Sequence, residues 1–190
     1  MNFKIVSISN MYLRKQPNNY GSTWPDYVVK DISNSDYGDL LPVFIFTSIL
    51  GGLNKSARIL DIGAGVSNNF VRNLHKAGYD NSIGIDVDPQ IKKVPFSECM
   101  NIRDIHVDEK FDVIYFKFLL DFFSGGTFSD MTKTPVPLEL LAEKIDIHLK
   151  PGGKLMIVDV TNNFSDFISL IEQRGYIEFK KDNVWVKPEQ

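Results

Sequence analysis

Two carboxylates and two glycines frame the chemistry available to this chain. In Ile59-Leu60-Asp61-Ile62-Gly63-Ala64-Gly65-Val66-Ser67-Asn68, an apolar run reads as a buried strand that passes into a glycine turn and then a helix. Gly63 and Gly65 allow the backbone to approach a ligand closely, and the following helix offers N–H groups that lack an intrahelical partner. Twenty-one residues beyond Gly65, Asp86 ends a second apolar run, where a carboxylate can accept hydrogen bonds from both hydroxyls of a ribose. These residue types in this order point to a nucleoside.

A G-x-G turn also serves dinucleotide enzymes, so the surrounding charge must choose the ligand. That charge is negative: Asp61 lies two residues before Gly63, and residues 61–71 contain no Lys or Arg to neutralise a pyrophosphate. Unit charges 4 Å apart at an effective dielectric of 20 interact by roughly 4 kcal/mol, so an acid here opposes a phosphate and favours an ammonium or sulfonium. The third glycine of the dinucleotide fingerprint falls on Asn68, and the lysine and hydroxyl of a phosphate-binding loop are absent.

The elements that must position these residues alternate in the rhythm of βα units, which predicts a parallel sheet covered by helices. Strands are expected at 58–62, 82–86, 100–103, 111–116 and 154–160. Val71, Leu74, His75 and Gly78 suggest a helix after the first, apolar spacing across 138–149 predicts another, and 164–174 reads as a third. Residues 176–180 and 184–187, joined through 181–183, read as an antiparallel hairpin. Ahead of the alternating region, 1–38 is rich in Asn, Ser, Tyr and Asp, and a helix of about three turns is expected from Asp39 to the Gly51-Gly52 stop. Residues 1–56 thus form an expected N-terminal cap or lid, and 57–190 the ligand-binding core of a single domain.

The ordered motifs resemble those of the class I S-adenosylmethionine (SAM) methyltransferases. Asp61-Ile62-Gly63-Ala64-Gly65-Val66-Ser67 is similar to their D/E-x-G-x-G-x-G, with Ser67 in place of the last glycine. Gly84-Ile85-Asp86-Val87-Asp88 resembles the ribose motif, and Arg103-Asp104-Ile105 sits where the family places an adenine-binding acid. Phe111-Asp112-Val113-Ile114 resembles the fourth-strand motif, and Leu149-Lys150-Pro151-Gly152-Gly153 the turn before strand five. The likeness covers roughly residues 57–187. It implies a three-layer, doubly wound Rossmann-like α/β fold, mostly parallel with a C-terminal antiparallel hairpin, and SAM as cofactor, leaving S-adenosylhomocysteine (SAH). By the same likeness Asp61, Gly63, Ala64, Gly65 and Ser67 hold the methionine part and Asp86 the ribose. Val87, Asp104 and Ile105 take the adenine, and Phe116 joins the cofactor-binding set.

Lys117 and Asp121 are the candidate catalytic residues, because they follow the fourth strand at the carboxyl edge where open α/β sheets bind ligands. Phe116-Lys117-Phe118-Leu119-Leu120-Asp121 is similar to the D-K-G-x-L-D of some protein lysine methyltransferases in Lys117, Leu120 and Asp121 alone. A snorkelling surface lysine is the competing reading of Lys117. The N/D-P-P-Y/F motif of amino-directed nucleic-acid methylation is missing, which disfavours adenine or cytosine amino groups and leaves open RNA modified elsewhere; the expected acceptor is a small molecule or a protein. Trp24, Tyr20, Tyr27 and Tyr37 either line the sulfonium or pack in the core. The segment 125–137, with Gly125, Gly126, Pro135 and Pro137, reads as a substrate-selecting loop. His106 and His148 are poor bases, and Pro151, Gly152 and Gly153 form an expected type II turn.

Composition narrows the alternatives. The 190 residues fit one core, and 43% apolar side chains exclude a disordered chain. A formal charge of −3 provides no global field for nucleic acid or anionic lipid. The single cysteine, Cys99, is expected to be a buried apolar residue, and with His75, His106 and His148 it shows no zinc-site spacing. No secretory signal is evident in MNFKIVSISN and no run reaches membrane-span length, so a cytoplasmic, metal-free enzyme is expected. An NAD-dependent oxidoreductase and a non-catalytic SAM or SAH sensor are the alternatives.

Overall fold

The computed structural model describes residues 52–117, 119–120, 137–159, 163–179 and 184–189. The expected N-terminal cap to residue 51, Asp121 and the loop 125–136 lie outside the described residues. A seven-stranded sheet forms the centre, in the order β3-β2-β1-β4-β5-β7-β6. Its strands are β1 (Ile59–Ile62), β2 (Ser82–Asp86), β3 (Ser97–Cys99), β4 (Phe111–Lys117), β5 (Leu149–Val158), β6 (Ile177–Glu178) and β7 (Val184–Val186). The first five pair in parallel, whereas β7 runs antiparallel to both β5 and β6, as the expected hairpin requires.

Side-chain alternation builds the layers. On β4, Ile114 and Phe116 face one core and Val113 and Tyr115 the other; on β5, Leu155 and Ile157 oppose Met156 and Val158 in the same way. Helices α2 (Leu138–His148) and α3 (Phe164–Glu172) cover the first face through Leu141, Ile145, Phe167 and Ile171. Helix α1 (Asn69–Lys76) covers the second through Leu74. Beyond α1, Gly78 has φ +85°, and the N–H groups of Ala77, Gly78 and Tyr79 return to carbonyls of the last turn, which ends the helix as a glycine stop should. Among the described residues no helix is long and apolar enough to cross a membrane.

Two expected strands are corrected. The third lies at Ser97–Cys99 rather than 100–103, and Ile102–Asp104 is a 3-10 turn whose start is capped by the Asn101 side chain, which accepts from the Arg103 N–H at 3.0 Å. The apolar pattern of Met100 and Ile102 thus marks a turn with one buried face, while the true strand is short and polar because it lies at the sheet edge. The fifth begins at Leu149 and takes in Pro151, Gly152 and Gly153. Gly152 has φ +69°, as the third position of a type II turn requires, and the β4–β5 register shifts between Phe111 and Val113 to absorb it. Cys99 is half-exposed rather than buried, at the end of edge strand β3 beside Asp86.

Candidate functional site

Strand order reverses beside β1, with β2 on one side and β4 on the other, and ligands of open α/β sheets bind at the carboxyl ends of the strands at such a switch point. Asp61, Asp86 and Lys117 all lie at or next to those ends. Asp61 is 4% exposed and shares the α1 face with Ile59. Burial, followed by the charge of Asp86, pushes its carboxyl up to about 8, and the Lys117 ammonium acts against that rise. Tyr115 pairs in register with Asp61, and its phenol is held well above the usual range by burial and then by the Asp61 charge.

The turn after β1 leans on β2. The N–H groups of Gly63 and Ala64 donate to the Ile85 carbonyl at 2.8 and 3.1 Å, and that of Gly65 donates to Asp86 Oδ2 at 2.9 Å. Asp86 Oδ1 accepts from the Asp88 N–H at 2.9 Å, so the two oxygens of this half-buried carboxylate are locked by backbone on either side. The first three N–H groups of the turn are therefore committed to β2. A pyrophosphate would have to use the later N–H groups at the start of α1, and residues 61–71 supply no Lys or Arg to neutralise it, so the charge favours a cationic nucleoside over a dinucleotide.

Glycine has distinct uses here. A Cβ on Gly63 would come within 2.9 Å of Leu119 Cδ1, whereas one on Gly65 would meet nothing within 4 Å. Gly63 thus admits a neighbouring side chain, and Gly65 faces open space where a ligand can approach. Ser67 fits in the last glycine's place because the left-handed conformation falls one residue later, on Asn68 at φ 43°. Asn tolerates that region better than most residues.

The sequence marks Asn68 only as the place where a third glycine is missing, and says nothing of its role. Asn68 is fully buried, and its Nδ2 donates to the carbonyls of Pro95 and Phe96 at 2.9 and 3.2 Å, tying the glycine turn to the β2–β3 connection. Gly84 leaves the space it crosses, since a Cβ there would stand 2.4 Å from Asn68 Oδ1. Asp159 likewise carries no sequence signal: it is 6% exposed just past the end of β5 and accepts from the Leu120 N–H at 3.0 Å. Both contacts join distant segments, and nothing local in the sequence signals them.

The fold brings Asp61, Gly63, Ala64, Gly65, Asp86 and Lys117 together, with Ser67 and Val87 exposed at the rim. It separates others. The Phe116 side chain is fully buried edge-on against Phe167, and Ile105 is buried in the same core cluster, so neither offers a broad surface to a ligand. Asp104 is exposed at the end of the 3-10 turn. His106 is exposed, and His148 is buried at the opposite edge, with Nδ1 2.9 Å from the Glu109 carbonyl.

Comparison with known proteins agrees with this geometry. The family model described as a methyltransferase domain matches residues 38–189, well over half of the chain. Comparison with curated proteins returns no match. Among solved structures, the ribosomal protein L11 methylase of Lactobacillus delbrueckii subsp. bulgaricus superposes with a TM-score of 0.52 at 13% identity, covering 76% of each chain. A putative SAM-dependent methyltransferase of Methanococcus maripaludis gives 0.52 at 14% identity, over 70% of this chain and 78% of that one. The N-methyltransferase NodS of Bradyrhizobium japonicum, solved with SAH, gives 0.47 at 16% identity, over 70% and 79%. Other matched structures are longer, and this chain spans less than half their length. A doubly wound sheet with a reversed last strand, an acid-flanked glycine turn at its switch point and a family match over most of its length have one common explanation: the chain belongs to the class I, Rossmann-like SAM-dependent methyltransferases.

Proposed function

We propose that this single-domain protein transfers the sulfonium methyl group of SAM to a small-molecule or protein acceptor, in the cytoplasm. The observation that carries the reading is the convergence of Asp61 and Asp86 on a glycine turn whose first N–H groups are already committed to β2. When bound, SAM supplies an electrophilic methyl on a positively charged sulfur. The residues present suit that group: a buried acid for its cationic methionine part, open space at Gly65 and a carboxylate at the end of β2 for the ribose.

In this reading the turn from Asp61 to Ser67 holds the methionine part, and Asp86 accepts from the ribose hydroxyls through the lone pairs its backbone partners leave free. Val87, 39% exposed beside it, packs on the adenine, whose edge meets the exposed Asp104, while the Ile105 side chain stays in the core. Methyl transfer from a sulfonium is intrinsically downhill, so the protein's main work is to align the acceptor with the S–CH₃ bond and exclude water. A hydroxyl or ammonium acceptor must also lose a proton, which passes to the Asp121 carboxylate or to Lys117 in its uncharged amine form.

The test is SAH formation from SAM across a panel of small-molecule and protein acceptors, alongside calorimetric titration with SAH. Turnover with any acceptor supports the proposal. Binding without turnover in extracts would favour a sensor, and heat with NADH but none with SAM would favour the oxidoreductase.

A further inference from the structure

Leu120 is fully buried just past the end of β4, beyond the last strand pairing among the described residues. Buried polar groups outside a ladder must be met by side chains. Here Asp159 Oδ2 accepts from the Leu120 N–H at 3.0 Å, and Asn163 Nδ2 donates to the Leu120 carbonyl at 3.2 Å, across 39 and 43 residues of sequence. Asp159 directly follows Val158, which pairs with Lys117 as the last rung between β4 and β5. Asn163 occupies the N-cap position of α3, where Asn usually gives its oxygen to the first helical N–H groups, yet it makes no such cap bond.

What the clamp holds is the backbone that carries Leu119 onto the glycine turn. Leu119 is seated so closely that a Cβ on Gly63 would lie 2.9 Å from its Cδ1, and so it covers the cofactor turn. The same stretch begins with Lys117, whose charge reaches Asp61. We propose that Asp159 and Asn163 are positioning residues for methyl transfer: by holding both backbone polar groups of Leu120, they fix Leu119 and Lys117 against the part of the turn that faces the sulfonium. This rests on the methyl-transfer reading above.

SAM and SAH differ only at the sulfonium and its methyl, so the ratio of their affinities reads this wall without any acceptor. Calorimetry on the full chain should show that Asp159→Ala and Asn163→Ala each change the ratio by about threefold or more while SAH still binds. Asp159→Asn, whose amide oxygen can still accept from the Leu120 N–H, should restore the wild-type ratio. A merely structural role would weaken both ligands alike. The inference is overturned if Asn163→Ala, or a folded Asp159→Ala, leaves the ratio unchanged, or if Asp159→Asn behaves as the alanine variant does. Should Asp159→Ala fail to fold, Asn163→Ala alone decides. No heat from either ligand with the wild-type chain would instead sink the cofactor reading, and this inference with it.

Discussion

Replacing Asp61 with Asn should stabilise the free protein while weakening its hold on a cationic ligand. Burial and Asp86 push the Asp61 carboxyl from 3.8 up to about 8. Between those two values the folded chain keeps a proton that the unfolded chain has released, so this residue's contribution to stability falls as pH rises. At ~1.4 kcal/mol per pH unit, the window amounts to at most ~6 kcal/mol against the free fold by pH 8. The amide of the Asp61→Asn variant has nothing to titrate. Urea unfolding at pH 5, 6.5 and 8 should therefore show Asp61→Asn gaining on the wild type across the series, by several kcal/mol at the end. In the same samples SAM affinity at pH 8 should drop at least ~10-fold, since even part of a 4 Å charge pair exceeds ~1.4 kcal/mol. A stability difference that does not vary with pH, or a wild type more stable than the variant at pH 8, would refute the reasoning.

Other substitutions separate packing from ligand approach. Gly84→Ala places a Cβ 2.4 Å from Asn68 Oδ1 and 2.7 Å from the Ala64 Cβ, so thermal or urea melts should show a loss of ~2–3 kcal/mol. Gly65→Ala meets no neighbour but sits at φ +63°, so its melts should show ~1–2 kcal/mol lost while titration shows a disproportionate fall in SAH affinity. Asp86→Asn keeps one acceptor oxygen for two backbone donors, and calorimetry should show SAM and SAH weakened together by ~10-fold or more. Lys117→Met removes a cation close to Asp61; competition binding should show SAM gaining on SAH, and turnover with a hydroxyl or ammonium acceptor should fall ~100-fold.

The parts of this fold that were legible in the sequence are those whose chemistry is local. The turn after β1 shows itself because Asp61, Gly63 and Gly65 sit within five residues, and the final hairpin because a turn segment interrupts two short apolar runs. Strand β3 was misplaced because Ser97-Glu98-Cys99 is an edge strand paired on one side only, so no apolar pattern marks it, while Ile102 carries the burial within a 3-10 turn. Phe116 looks like a rim residue from its place at the end of β4, but alternation on the strand turns it into the core against Phe167. Asn68 and Asp159 have structural roles with no signature in the sequence. Their work is to hold backbone 27 to 39 residues away, and an isolated Asn or Asp carries no mark of a distant partner.

The most direct test of an acidic turn built for a cationic nucleoside is SAM affinity against pH, measured by calorimetry on the wild type and Asp61→Asn. The ligand's own α-ammonium titrates near 8 and affects both proteins equally, so the difference between them isolates Asp61. Wild-type affinity should rise relative to the variant from pH 6 towards pH 8, approaching ~10-fold per pH unit. Parallel curves for the two proteins, or no saturable heat from the wild type at any pH, would contradict it.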